Sequence, residues 1–95
     1  MESFDALFTE MCEWFDRVIP HSVEDDVTKF REESAEFLAN PSAEEAADAL
    51  GCLVHFCHLK GLDLKAAVRA KFEKNKARKW ERQPDGTWHH VKGGS

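Results

Sequence analysis

The stretch EESAEFLANPSAEEAAD, residues 32–48, decides the fold, because it holds two acidic helical segments separated by a short break. Asn40 and Pro41 end the first segment, since a proline cannot supply the backbone N–H that a helix interior needs. Ser42 followed by Glu45 forms a capping box, which marks the start of the second helix. So short a turn predicts two antiparallel, neighbouring helices.

Outward from this turn, apolar residues at helical spacing predict about four helices, and the expected fold class is all-α. The expected ranges are residues 4–18, ending before Pro20, then 23–39, 42 to about 60, and 64–80. The third helix is apolar nearly all round and should be the most buried element. The fourth is expected to turn its apolar residues inward: Leu64, Ala67, Val68 and Phe72. Ser22 and Asp63 are the expected caps of the second and fourth helices, and Gly61 is expected to end the third.

Length and composition predict one globular domain. The chain has 95 residues, of which 42% are hydrophobic and 33% charged. Residues 83–95 form an expected C-terminal tail with a turn at Pro84-Asp85-Gly86, and no alternating pattern is long enough to predict a sheet. A chain this short buries little of its surface, so we expect it to self-associate.

The sequence gives no sign of a membrane or disulfide-bonded protein. No stretch approaches the roughly 20 apolar residues that cross a bilayer, and the N-terminal segment is acidic where a signal peptide is basic. We therefore expect a cytoplasmic protein with no membrane partner. Three cysteines without Cys-x-x-Cys spacing predict buried thiols.

Charge is divided unevenly along the chain. Residues 1–50 carry 14 acidic and 3 basic side chains, a net charge of −11, whereas residues 51–95 carry 4 acidic and 10 basic side chains, a net charge of +6. One half could hold divalent cations and the other phosphates. Two faces that pair with each other would show the same division.

Four carboxylates lie at mirrored positions around the turn. Glu33 and Glu36 are three residues apart on the second helix, and Glu45 and Asp48 are three apart on the third, so each pair projects from one helix face. Positions equidistant from an antiparallel turn lie level, which brings the two pairs together. Clustered anions need a neutralising partner, and all-oxygen ligands select hard cations such as Mg²⁺, or Mn²⁺ in its place. Asp48 makes the strongest case, because it lies in the most apolar helix.

Each of these acids also has an ordinary explanation. Glu45 is the third residue of a capping box, and Asp48 near a helix N-terminus favours the helix dipole. On the second helix, Glu32, Glu33 and Glu36 could instead form a solvated face opposite Lys29 and Arg31. The mirrored spacing favours the metal hypothesis over these explanations taken together.

Two motifs carry a family resemblance, Glu32-Glu33-Ser34-Ala35-Glu36 and Glu45-Ala46-Ala47-Asp48. With this Glu-Glu-x-x-Glu and Glu-x-x-Asp signature the chain resembles the MazG-like family of all-α nucleoside triphosphate pyrophosphohydrolases. Residues 71–80, with Pro84-Asp85-Gly86 and His90-Val91, are similar to a branch of dATP/dGTP pyrophosphohydrolases common in phages, which includes enzymes that remove dGTP. The gap between the two motifs is shorter than in many relatives, which shortens the hairpin but keeps its register.

The resemblance implies an oligomeric helical bundle that hydrolyses nucleoside triphosphates, with purine deoxynucleotides such as dGTP and dATP expected, to the monophosphate and pyrophosphate. It implies Mg²⁺, replaceable by Mn²⁺, and a homodimer or a dimer of dimers. The implied metal ligands are Glu33, Glu36, Glu45 and Asp48. Glu32 or Glu33 would take a proton from the attacking water, and the sequence does not decide between them.

Positive charge for the leaving pyrophosphate is expected near the end of the fourth helix. Lys71, Asn75 and Arg78 form an i, i+4, i+7 stripe, with Lys79 next to it, and arginine suits bidentate phosphate contacts. The remaining basic residues of this region are expected to be solvated: Lys74, Lys76 and Arg82.

Aromatic residues could stack on the base of a nucleotide. Trp14 on the first helix is the candidate we select, and Phe15, Trp80 and Trp88 are alternatives. Aromatic residues at helical spacing are more often core or oligomer contacts than ligand platforms.

Cys52, His55 and His58 lie along one face of the third helix and, with Asp48, could imitate a transition-metal site. A buried, hydrogen-bonded pair or an oligomer contact is the favoured interpretation.

Two other functions fit parts of the sequence. A helical nucleic-acid-binding module could use the basic end of the fourth helix, but a net charge of −5 would repel a polyanion, so we expect no nucleic-acid partner. A non-catalytic four-helix protein could use the carboxylates to store or sense a cation. Metal binding without pyrophosphate release would favour this second alternative.

Overall fold

The computed structural model describes residues 3–19 and 22–92. These residues form four helices followed by a two-stranded hairpin, so the predicted all-α class is confirmed with a small hairpin added. The elements are α1 Phe4–Val18, α2 Val23–Ala39, α3 Ala43–Leu59, α4 Leu64–Ala77, β1 Trp80–Arg82 and β2 Trp88–His90. Pro20 and the last three residues of the predicted tail, 93–95, lie outside the described residues.

Serine caps begin the first three helices. Ser3, Ser22 and Ser42 have extended backbones, and each hydroxyl oxygen accepts a hydrogen bond from the backbone N–H three residues later, at 3.1, 3.2 and 3.1 Å. Gly61 follows α3 with φ of 69°, a left-handed conformation that suits glycine. The predicted N-terminal caps Ser22 and Ser42 are thereby confirmed, and so is the predicted role of Gly61 in ending the third helix.

The chain divides into two compact units, residues 1–64 and residues 65–95. In the first unit α3 packs against both α2 and α1. The buried side chains of the described residues all lie on α2 and α3: Asp26, Glu33, Val54, His55 and Cys57. The prediction that the third helix is the most buried is therefore confirmed, and α2 turns two acids toward it. The single domain over residues 1–95 stays a prediction.

The second unit departs from the sequence-based expectation. The fourth helix ends at Ala77 rather than at residue 80, and a hairpin forms where no strand was expected. Trp80 pairs with His90 and Arg82 with Trp88 in antiparallel register, and the turn includes Gly86 with φ of 90°. Strands of three residues are too short to show an alternating pattern in the sequence.

The apolar face predicted for the fourth helix is also corrected. Val68 and Phe72 are 57% and 52% exposed, Ala67 is exposed and Leu64 is half-buried. The inward orientation is therefore wrong for Ala67, Val68 and Phe72, because 14 residues with many lysines leave too narrow an apolar stripe to bury them within one chain.

Among the described residues, the helices are too short or too polar to cross a membrane.

Candidate active site

Three carboxylates converge between α2 and α3. Glu33, Glu45 and Asp48 each offer an oxygen that lies within 4.8 Å of the other two. Glu33 is buried, Glu45 is half-buried and Asp48 is exposed. The register explains this meeting, because Glu33 and Asp48 are equidistant from the turn and Glu45 lies about one helical turn closer to it. Three of the four predicted ligands therefore share one site.

Two oxygens of this carboxylate cluster have no partner. Glu33 Oε2 and Glu45 Oε2 are shielded from water and accept no hydrogen bond within the described part of the chain. The Ser42 hydroxyl oxygen accepts a hydrogen bond from the Glu45 backbone N–H at 3.1 Å and caps the helix. The Glu45 carboxylate itself lies in the cluster. Buried carboxylates without partners are costly in free energy. Converging, unpartnered oxygens fit a hard divalent cation such as Mg²⁺ or Mn²⁺.

Lys29 partly balances the cluster. Its Nζ lies 2.9 Å from Glu33 Oε1, and the side chains are 57% and 10% exposed, respectively. The hydrogen bond to Glu33, followed by the charge of Glu33, raises the pKa of Lys29. One ammonium thus faces three carboxylates, which leaves most of the negative charge for another cation.

Glu36, the fourth predicted ligand, lies outside the group of oxygens within 4.8 Å of one another. It is exposed, and the neighbouring charge of Glu33 raises its pKa, with smaller effects from desolvation, from a side-chain hydrogen bond with Glu33 and from the charge of Glu45. Glu36 therefore interacts with Glu33 but is not one of the three residues whose oxygens converge. Its role as a metal ligand stays a prediction.

A cavity of about 630 Å³ adjoins the cluster within the first unit. Asp48 belongs to both the cluster and the cavity wall, and Glu32 and Lys29 lie on the same wall. Small-molecule sites commonly have volumes of roughly 300–1,000 Å³. The cavity is therefore large enough for a ligand that also contacts the carboxylates.

A second buried polar pair lies on the same cavity wall. Asp26 Oδ1 is 3.2 Å from His55 Nδ1, and the two side chains are 5% and 6% exposed. The His55 ring stacks on Phe15 with centroids 4.1 Å apart and an interplanar angle of 18°. Packing against α1 therefore fixes the ring that faces Asp26.

Each histidine of α3 lies against an acid, but only His55 is buried, whereas the His58 side chain is 32% exposed. In addition to the Asp26–His55 pair, His58 Nε2 lies 2.8 Å from Asp16 Oδ1. Burial, followed by the charge of Glu33, raises the pKa of the Cys52 thiol. Among the described residues, the group that could hold a metal ion consists of Glu33, Glu45 and Asp48 and does not include Cys52, His55 or His58.

Asp26 is absent from the predicted site residues, although the sequence carried a signal for it. Asp26 and His55 are equidistant from the turn, as are Glu33 and Asp48, so the same register brings each pair together. Asp26 also precedes Glu33 by seven residues, which places the two acids on one face of α2. In sequence, Asp26 resembles an ordinary acid of the first helical turn.

Trp14 lies next to the cavity wall rather than in it. Trp14 is 41% exposed and packs edge to face on Phe15, with centroids 5.8 Å apart. Phe15, one of the alternatives, lines the cavity, and Trp14 is not among the lining residues. Contact between Trp14 and a base stays a prediction.

The predicted phosphate-binding residues Lys71, Asn75, Arg78 and Lys79 lie in the second unit. Arg78 Nη1 donates to Asn75 Oδ1 at 3.3 Å, and Trp80 Nε1 donates to the Asn75 carbonyl at 2.7 Å. The charge of Arg78, with desolvation and the charge of Lys71, lowers the pKa of His90. The helix end and the hairpin thus form a positive patch, and its contact with a substrate stays a prediction.

Comparison with known proteins gives related sequences. No protein-family model matches the chain. The chain is 36% identical over 70 residues to the dATP/dGTP diphosphohydrolase of Cyanophage S-2L, which covers 70% of this chain and 67% of that protein. It is 35% identical over 81 residues to the dATP/dGTP diphosphohydrolase of Salmonella phage PMBT28. This matched segment covers 82% of this chain but only 28% of the phage protein.

A solved structure matches over nearly the whole chain. It is the Cyanophage S-2L MazG-like pyrophosphohydrolase bound to dGDP and three catalytic Mn²⁺ ions per active site. The TM-score is 0.76 at 29% identity, covering 99% of this chain and 97% of that chain. The shared fold, the sequence identity and the carboxylate cluster agree, and the chain belongs to the family of MazG-like pyrophosphohydrolases that includes the phage dATP/dGTP diphosphohydrolases.

Proposed function

We propose that the protein hydrolyses purine deoxynucleoside triphosphates, dGTP or dATP, to the monophosphate and pyrophosphate with the help of a divalent cation. The observation that carries the proposal is the convergence of Glu33, Glu45 and Asp48 within 4.8 Å beside a cavity of about 630 Å³. The relatives support it, since two are dATP/dGTP diphosphohydrolases and the matching structure holds dGDP and Mn²⁺.

Glu33, Glu45 and Asp48 would hold the cation, Mg²⁺ or Mn²⁺, with Glu36 as a fourth ligand. When bound, such a cation supplies positive charge that neutralises phosphate oxygens and makes a nearby water more acidic. The unpartnered oxygens of Glu33 and Glu45 support this assignment. Lys29 lines the cavity, and once Glu33 has another counter-ion its ammonium is released to face phosphate.

Glu32 is better placed than Glu33 to take a proton from the attacking water. Glu32 is exposed and lines the cavity, whereas Glu33 is buried and paired with Lys29. A general base must reach the water that it activates, and an exposed carboxylate on the cavity wall can do so. The water would attack the α-phosphate, and pyrophosphate would leave.

The proposed assembly is a homodimer or a dimer of dimers in the cytoplasm of a host cell. Exposed apolar side chains support self-association, with Phe4 and Leu38 at 74% and 77% exposure. Phage relatives support the location. Sedimentation equilibrium at micromolar concentration should give a mass of at least two chains, and a monomer at all concentrations would contradict the assembly.

The activity is tested by incubating the protein with each of the four dNTPs and Mg²⁺ or Mn²⁺, then separating the products. We expect monophosphate and pyrophosphate from dGTP or dATP, and no turnover when a chelator removes the cation. A nucleoside diphosphate plus inorganic phosphate would contradict the proposal, because the water would then not attack the α-phosphate. Cation binding without any turnover would support the non-catalytic alternative instead.

The assignment of Glu32 as the general base is tested with Glu32→Gln. Removing a general base lowers turnover by roughly 100-fold or more, whereas affinity for Mn²⁺ measured by calorimetry should stay within about twofold of wild type. A variant that loses Mn²⁺ affinity would make Glu32 a metal ligand, and one with full turnover would return the role to Glu33.

A further inference from the structure

We infer that Asp26 binds the base of the nucleotide and selects guanine over adenine. The inference rests on the proposed function, and it deepens it by naming the residue that sets base preference. Its observation is that Asp26 lines the cavity that Asp48 also lines, and that one oxygen of this buried carboxylate has no partner among the described residues.

The Asp26 carboxylate is half satisfied. Oδ1 lies 3.2 Å from His55 Nδ1, whereas Oδ2 is shielded from water and has no hydrogen-bond partner among the residues that the structure describes. The side chain is only 5% exposed, so little of it meets bulk solvent. His55 is held by stacking on Phe15. A buried acceptor kept in this state is available to a donor on a ligand.

The position of Asp26 matches the length of a nucleotide. Asp26 and Glu33 are seven residues apart on α2, which separates them by about 10 Å along the helix axis. That distance is comparable to the span from the base edge to the α-phosphate of a nucleotide. Asp26 and Asp48 line one cavity, so a ligand with its phosphates at the carboxylate cluster has its base at the Asp26 end.

The chemistry of a carboxylate decides which purine fits. An ionised Asp26 only accepts hydrogen bonds. Guanine presents two neighbouring donors, the N1–H and the 2-amino group. One can donate to Oδ2, and the other to the second lone pair of Oδ1, whose first lone pair faces His55. Adenine presents its N1 acceptor next to its 6-amino group, so one carboxylate oxygen would face another acceptor. A site built for donors rejects a ligand that leaves a buried polar group unpaired.

Asp26→Asn tests the inference, because the amide offers one acceptor and one donor, the complement of the adenine edge. We expect the ratio of dGMP to dAMP affinity, measured by calorimetry with Mn²⁺, to fall by roughly 10- to 100-fold, which is the worth of one bidentate pair. The ratio of kcat/KM for dGTP and dATP should fall in parallel. A variant that weakens both nucleotides equally would overturn the inference.

Glu24→Gln is the matched control, since Glu24 is an exposed acid of the same helix turn that does not line the cavity. It should keep the wild-type ratio. Wild-type protein gives a test that needs no buried substitution: dIMP, which keeps N1–H but lacks the 2-amino group, should bind more weakly than dGMP and more tightly than dAMP. Equal affinity for dGMP and dAMP, or no binding of dGMP, would overturn the inference. If dGMP is preferred but no dNTP is hydrolysed, only the proposed function fails.

Discussion

Glu33 and Asp26 are two buried acids on the same face of α2, and they differ in what α3 places opposite them. Glu33 meets the carboxylates of Glu45 and Asp48, whereas Asp26 meets the imidazole of His55 at 3.2 Å. Each acid keeps one oxygen that has no partner within residues 3–19 and 22–92. The helix pair and its register are common to the two positions. The side chains around each acid differ, since Lys29 also pairs with Glu33, whereas Phe15 of α1 packs on the His55 that faces Asp26.

This difference teaches how one helix pair can divide binding between two ends of a ligand. Opposed carboxylates accumulate negative charge that only a cation can offset. An acid opposed by histidine already has a hydrogen-bonded partner on one oxygen, and its other oxygen suits a neutral donor. We therefore assign the cation and phosphate end to the Glu33 level and the base end to the Asp26 level.

Asp48→Asn should have the largest effect on cation binding and turnover. It removes one of three converging oxygens with its charge, so Mn²⁺ affinity and dNTP turnover should each fall by at least about 100-fold, beyond the effect of losing a supporting residue. Calorimetry and a pyrophosphate assay measure the two quantities. Asp26→Asn should leave Mn²⁺ affinity within about twofold, because Asp26 lies outside the cluster.

Glu44→Gln is the control for this loss. Glu44 is an exposed acid in the first turn of α3 and lies outside the cluster. It should keep wild-type Mn²⁺ affinity and turnover. Full Mn²⁺ affinity in Asp48→Asn would remove Asp48 from the proposed ligands.

Lys29→Met should sharpen the comparison with a smaller, opposite effect. Lys29 competes with a cation for Glu33, so its removal should raise Mn²⁺ affinity without nucleotide by about two- to fivefold, a modest gain because Lys29 is largely exposed. Arg69→Gln is the matched control, since it disrupts another i, i+4 pair, Arg69–Glu73, in the second unit. A fall in Mn²⁺ affinity would show that Lys29 supports the cluster rather than competing for it.

Glu36→Gln should have the smallest effect, visible in the metal-free protein. Glu33 raises the pKa of Glu36, so the folded state holds this proton more firmly than the unfolded chain. Its contribution to stability is then greatest at low pH and is lost as the pH rises through the raised pKa. The variant should therefore melt above wild type at pH 7, by a small margin because Glu36 is exposed.

The pH series checks the sign of this effect. The difference in melting temperature between Glu36→Gln and wild type should shrink as the pH falls into the range where glutamate is protonated. If the ionised Glu36 were instead stabilised in the fold, contrary to the repulsion from Glu33, the variant would melt below wild type at pH 7. The two melting temperatures would then converge as the pH falls.

Local signals were sufficient for the helices and for much of the site. Ser22 and Ser42 mark helix starts through their own hydrogen bonds, and the short turn fixes the register that brings Glu33 to Asp48. The sequence does not single out Asp26, although the same register applies to it. Acids in a first helical turn usually serve the helix dipole, so its burial depended on packing that the sequence does not display.

The C-terminal unit shows why the rest was not predictable. The Pro84-Asp85-Gly86 turn was recognisable, but the strands beside it are three residues long and are defined by pairing, such as Arg82 with Trp88. Thr87 completes the turn by donating its backbone N–H and hydroxyl to Asp85 at 2.9 and 2.6 Å. Such contacts between strands are not visible in segments too short to show an alternating pattern.

The division between a cation level and a base level is tested most directly by a crystal structure with Mn²⁺ and dGDP, in which anomalous scattering locates the manganese. We expect manganese bound to oxygens of Glu33, Glu45 and Asp48, with the guanine N1–H and 2-amino group against Asp26. Manganese elsewhere with this cluster empty, or a guanine edge turned away from Asp26, would contradict the account.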